Sequence, residues 1–254
     1  MSRLPAVALL LALTACGSGD AGEPGDPGGD DRTLTVLAAA SLTGAFDDLA
    51  EIFEDAHPGV EVRLSLDSSA TLAQQVIAGA PADVLATADL RTMTIAADGD
   101  ALADDPRTFA TNTLVLVTPA DDPAGITAFA DITGTAYVTC AESAPCGAIA
   151  RDLLAANGIE SPPVSREVDV RAVLTKVVLG EADAGLVYAT DAAAAGDEVR
   201  TLPVPGAPAL RTEYPIALLA AAPAEDLGRA WVDLVLSAEG QQVLARHGFG
   251  PAPS

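Results

Sequence analysis

Residues 33–53 read TLTVLAAASLTGAFDDLAEIF, and this stretch decides the fold. Its first part, 33–39, is a short continuous apolar run of the kind a buried strand makes, just past a Gly/Pro-rich segment. Leu42, Phe46, Leu49 and Phe53 then recur at helical spacing. Ser41 stands at the join, where a side-chain oxygen favours the N-cap. The first turn of such a helix carries unpaired backbone N–H groups and a positive dipole end, which together attract an anion. A serine there caps the helix or turns its hydroxyl and N–H toward a ligand. Similar junctions recur along the chain, which favours the ligand.

The chain has 254 residues, enough for two domains with separate cores. Half the residues are apolar and the formal net charge is −23, from 36 acidic and 13 basic residues. That field argues against nucleic acid and against a polybasic membrane contact. An anionic ligand must therefore be captured by local dipoles, against the field of the whole protein. At 4% aromatics, extensive stacking platforms for bases or sugars are not expected.

Residues 1–16 read as a targeting segment. Arg3 supplies a minimal positive start and residues 6–13 an apolar run too short to span a bilayer. The run ends in Leu13-Thr14-Ala15-Cys16, which resembles the bacterial lipobox, whose cysteine is lipidated. Residues 17–32 begin GSGDAGEPGDPGGDD and read as a disordered Gly/Pro/Asp tether. The expectation is an exported protein, lipid-anchored to the outer face of the cytoplasmic membrane or periplasmic. In an oxidising compartment Cys140 and Cys146, six positions apart in TCAESAPCG, are expected to form a disulfide that stiffens their loop. Neither His57 nor His247 is near enough in sequence to make a metal site of them.

Taken in order, VEVRLSL at 60–66 alternates as a half-exposed strand does, and Asp67-Ser68-Ser69 opens a second helix over Leu72, Val76 and Ile77. Residues 82–86 read as a buried strand, and Asp89 as the cap of a following helix. This alternation predicts parallel sheets. The apolar run 113–117 is a strand ending at Pro119, near which the chain changes domain. A second series follows: a strand at 137–139, the cysteine loop, and a helix closed by Asn157-Gly158. Next come a strand at 164–168, a helix opened by Asp169-Val170, and GLVY at 185–188 with Asp191 capping a short Ala-rich helix. Strands at 199–202 and 214–220 lead back to two C-terminal helices split near Ser237. The expected domains are 33–113 with 205–254, and 114–204.

Enzyme readings fare badly. Two histidines, no G-x-S-x-G elbow, no P-loop, no G-x-G-x-x-G and no clustered metal ligands leave no recognisable nucleophile–base set, so no catalytic residue and no cofactor are expected. What is present is a set of neutral donors at helix starts: Ser41, Ser68-Ser69, the loop 145–147, and the start at 169–171. Tyr188 stands at a strand end with a phenol able to donate. In doubly wound sheets a ligand lies at the carboxyl ends of strands, where all of these fall.

These residues carry a resemblance. AAASLTGAF at 38–46, SSATLAQQVIAGAPADVLATAD at 68–89, EVDVRAVL at 167–174 and GLVYATDA at 185–192 are similar to motifs of the molybdate-binding receptors of ABC importers. EYPIALL at 213–219 and SAEGQQVLARHGF at 237–249 extend the match to most of the chain. The resemblance implies two doubly wound α/β domains with a ligand cleft between them, the type II periplasmic-binding-protein fold. It implies binding of molybdate, with tungstate alongside, by a monomer that delivers it to a membrane permease. Ser41 and Ser69 would donate hydroxyl and backbone N–H, Tyr188 its phenol, and Cys146 and Val170 backbone N–H alone. Ser68 would stand behind these contacts. No side chain would ligate a metal cation directly. Cys146 departs from the small residue usual in that loop, but a backbone donor tied to Cys140 could serve. The alternatives are a receptor for sulfate or thiosulfate on the same fold, a surface-anchored oxyanion sensor, or a hydrolase using Ser41 or Ser69.

Overall fold

The computed structural model describes residues 32–253, which belong to one compact unit. The lipobox with Cys16 and nearly all of the tether lie outside the described residues.

Two mixed sheets carry the architecture. The first has the order β11-β4-β10-β3-β1-β2, from β1 (Arg32–Ala39), β2 (Val60–Asp67), β3 (Val84–Ala86), β4 (Arg107–Asn112), β10 (Thr212–Leu218) and β11 (Gly250–Pro251). The second has the order β7-β6-β8-β5-β9, from β5 (Leu114–Pro119), β6 (Tyr137–Cys140), β7 (Ser165–Glu167), β8 (Ala184–Tyr188) and β9 (Val199–Leu202). β1 pairs in parallel with both β2 and β3, and its second half, 36–39, is apolar and buried without a break, as a strand covered on both faces requires. β2 lies at the sheet edge and alternates buried and exposed positions.

The expected parallel order holds only in part. β10 runs antiparallel to β3 and β4, and β5 runs antiparallel to β8 and β9. The chain leaves the first sheet at Asn112 and enters the second at Leu114, then returns between Leu202 and Thr212. Strands next to these crossovers therefore oppose the parallel set. The change of sheet thus comes at Thr113, before β5 rather than at Pro119.

The helices are α1 (Thr43–Ala56), α2 (Ser69–Ile77), α3 (Leu90–Asp98), α4 (Pro145–Ala156), α5 (Val170–Val178), α6 (Ala189–Ala195), α7 (Glu225–Leu236) and α8 (Ala238–Arg246). α1 buries Ala45, Phe46, Leu49 and Phe53, the apolar stripe that its spacing predicts. Trp231 of α7 meets Phe46 and Phe53 edge-on at 5.5 and 5.6 Å, which fixes both helices on one face of the first sheet. Ser237 ends α7 and caps α8 by accepting the Gly240 N–H. Among the described residues no helix is long and apolar enough to cross a membrane.

Candidate functional site: a cavity at converging helix starts

The strands of the two parallel sets, β1 to β3 and β6 to β8, all end at one cavity. Its lining includes Ser41 after β1, Ser68 and Ser69 after β2, Ala88 after β3, Cys146 after β6, Val170 after β7 and Tyr188 at the end of β8. The free volume open to the centre of a water molecule is about 20 Å³. A single water needs roughly 10–15 Å³ on that measure, so the space suits one compact group and no extended ligand.

All five residues expected to touch a ligand, and Ser68 with them, are brought to this cavity. Ser69, Cys146 and Val170 occupy the first or second positions of α2, α4 and α5, where backbone N–H groups have no intrahelical acceptor. Ser41 sits in a single 3-10 turn, Ala40–Leu42, ahead of α1. Both serines are buried, and neither caps a helix with its side chain, contrary to that reading of Ser41. The Ser41 Oγ is 2.8 Å from the Tyr214 Oη, while the Ser69 Oγ accepts the Ala88 N–H at 2.9 Å. Ser68 holds the N-cap position of α2 without a side-chain cap bond; its N–H donates to the Asp67 carboxylate at 2.6 Å.

Tyr188 is fully buried, and its Oη has no hydrogen-bond partner among the described residues. Burial, aided by the Tyr214 hydroxyl and the Asp89 and Asp191 charges, raises its pKa well above the ordinary phenol value. The phenol therefore stays protonated and is a donor at any physiological pH. Asp89 and Asp169 cap their helices as expected, accepting the N–H groups of Thr92 and Ala172 at 2.8 and 2.9 Å. Asp191 departs from its expected capping role: it lies inside α6, buried, with Oδ2 unpartnered. Tyr188 holds the N-cap position instead.

Among the described residues no lysine or arginine lines the cavity, and its two aspartates, Asp67 and Asp169, accept the N–H groups of Ser68 and Ala172. Hydroxyl, phenol and backbone N–H donors on buried residues can hold an anion strongly without a counter-charge, because desolvation strengthens each hydrogen bond. Among the described residues no group of three His, Cys, Asp or Glu could hold a metal ion.

The Cys140–Cys146 disulfide is present and ties the end of β6 to the first turn of α4. Closing so short a loop is worth about 2 kcal/mol on the chain-entropy account. From the other side of the cavity, Arg91 of α3 donates to the Ser143 carbonyl of this loop at 2.9 Å. Three further residues escaped sequence reasoning: Tyr214, Asn112 and Thr190, a buried polar group beside Ser41. EYPIALL marked the strand of Tyr214 without giving that residue a role, and nothing marked Asn112.

The family model described as bacterial extracellular solute-binding protein matches residues 34–250. The chain belongs to that family. Within it, the chain is 41% identical over 244 residues to the molybdate-binding protein ModA of Mycobacterium tuberculosis (strain ATCC 25618 / H37Rv), covering 95% of this chain and 94% of the relative. The periplasmic molybdate-binding protein of Azotobacter vinelandii superposes with a TM-score of 0.76 at 19% identity, over 87% of this chain and all of that one (100%). The sulfate-binding protein SubI of Mycobacterium tuberculosis H37Rv gives the same TM-score, 0.76, at 18% identity, over 87% of each chain. At those identities the two structures establish the fold of this solute-binding protein, the two-domain periplasmic-binding architecture that the motifs implied, and not its ligand.

Proposed function

We propose that this protein binds molybdate outside the cytoplasm and delivers it to an ABC permease. The observation that carries the reading is the cavity itself: neutral donors at helix starts, from both sheets, around a space sized for one compact anion. The 41% identity to a protein named for molybdate binding supports that ion over others. In this reading Ser41 and Ser69 donate hydroxyl and N–H, Cys146 and Val170 donate N–H, and Tyr188 donates its otherwise unpartnered phenol. Tungstate, with the same shape and charge, binds at the same donors. No cofactor and no catalytic step are involved.

The domains follow the sheets: 33–113 with 205–254 around the first, 114–204 around the second. They close on the anion, and the closed monomer is the form a permease meets. Export with lipidation at Cys16 would hold the protein at the outer face of the membrane. Incorporation of a labelled fatty acid should disappear in a Cys16→Ala variant, and label persisting there would exclude that anchor.

Tyr188→Phe removes one oxygen and keeps the ring, so it should weaken molybdate binding by about 1–3 kcal/mol, the range for a hydrogen bond to a charged group. Equilibrium titration reads the effect. Unchanged affinity would remove Tyr188 from the ligand set. Sulfate is the second reading, since a sulfate-binding protein shares the fold. The donors are indifferent to the central atom, so cavity size must make the distinction.

A further inference from the structure

We infer that Asn112 and Tyr214 are positioning residues that force the Ser41 hydroxyl to donate into the cavity. The inference rests on the oxyanion reading above and deepens it. A serine hydroxyl both donates and accepts, so burial at a site does not by itself say which way it points. Its neighbours decide.

The chain of constraints starts where the polypeptide passes from one sheet to the other. The Asn112 Oδ1 accepts the Thr113 N–H at 2.9 Å, which fixes the amide's orientation and turns Nδ2 the other way. Nδ2, which can only donate, is 2.9 Å from the Thr190 Oγ1 and 3.5 Å from the Tyr214 Oη. Tyr214 is fully buried; its Oη lies 2.8 Å from the Ser41 Oγ and also faces the Tyr188 hydroxyl, which makes no hydrogen bond among the described residues. With Nδ2 donating to it, the phenol directs its own proton to its nearest acceptor, Ser41. With a lone pair so engaged, Ser41 keeps its own proton for the cavity. Ser69 is set the same way by simpler means, its Oγ accepting the Ala88 N–H. The Ser41 relay differs in being anchored at the crossover, where the Thr113 carbonyl also accepts the Ala189 N–H at 2.9 Å.

The test is a double-mutant cycle on the full protein, with molybdate as the probe and calorimetric affinity as the readout. Tyr214→Phe keeps the ring packed against Tyr188, Phe109 and Phe249 and removes only the hydroxyl. It should weaken binding about 3- to 10-fold, the usual range for one hydrogen bond. In a Ser41→Ala background the same change should have no further effect. Multiplying effects in the double variant, or a Tyr214→Phe protein that binds like wild type, would overturn the inference. Asn112→Asp supplies a second arm: its carboxylate accepts the phenol proton and takes it from Ser41, and its charge also repels the anion. The loss should therefore be smaller once Tyr214 is phenylalanine, and an equal loss in both backgrounds would overturn the inference. Wild-type protein that binds no molybdate would defeat the oxyanion reading first, and this inference with it.

Discussion

Gly147→Ala should destabilise the protein by about 3 kcal/mol or more, at the upper end of the usual cost of overpacking, and should also weaken anion binding. A Cβ at this position would lie 2.0 Å from the Ala141 carbonyl oxygen, 2.4 Å from its carbon and 2.6 Å from the Cys140 oxygen. These are backbone atoms, so no side-chain rotation relieves the contact. The disulfide holds Cys140 at the end of β6 and Cys146 in the first turn of α4, which leaves the loop little freedom to shift. Relief must come from moving the start of α4, and the Cys146 N–H moves with it. Thermal melting and titration report the two losses separately. A variant that melts and binds like wild type would show that the loop is not rigid.

Asp191 should make stability fall with rising pH. Burial raises its pKa from 3.8 to about 7, against the opposing pull of the Arg171 charge and the backbone N–H of Tyr188, with Asp169 adding to the rise. Between those two values the folded protein keeps a proton that the unfolded chain has released. The stabilisation is therefore complete below pH 3.8, and it is lost as pH rises through about 7. At 1.36 kcal/mol per pH unit, that interval amounts to roughly 4 kcal/mol. Asp191→Asn stays neutral at every pH. Without added anion it should match wild type near pH 4 and exceed it by about that amount at pH 8. Parallel denaturation curves for the two proteins across this range would contradict the assignment.

The two sheets differ in how legible they are. β1 and β8 stand out because strands covered on both faces read as near-continuous apolar runs, as VLAA and GLVY do. β4, RTFATN, buries Phe109 and Ala110 but carries polar residues between turn signals, so nothing in its own sequence marks it. The antiparallel partners of β10 and β5 were equally hidden, because pairing direction depends on which sheet the chain re-enters. At the site, the five expected contacts share one cavity because each follows a strand end, a local pattern that motifs record. Tyr214 and Asn112 reach Ser41 by tertiary packing alone; Ser41 and Tyr214 are 173 positions apart. Asp191 looked like a cap because a short Ala-rich segment does not reveal which side of it will be covered.

On the proposed function, a cavity of neutral donors selects one size of tetrahedral oxyanion. Calorimetric titration of the purified protein with molybdate, tungstate, sulfate and phosphate, in parallel, tests it most directly. Molybdate and tungstate should bind tightly and one-to-one, with sulfate and phosphate silent. Sulfate binding as tightly as molybdate would contradict size selection, and silence toward molybdate would contradict the function itself.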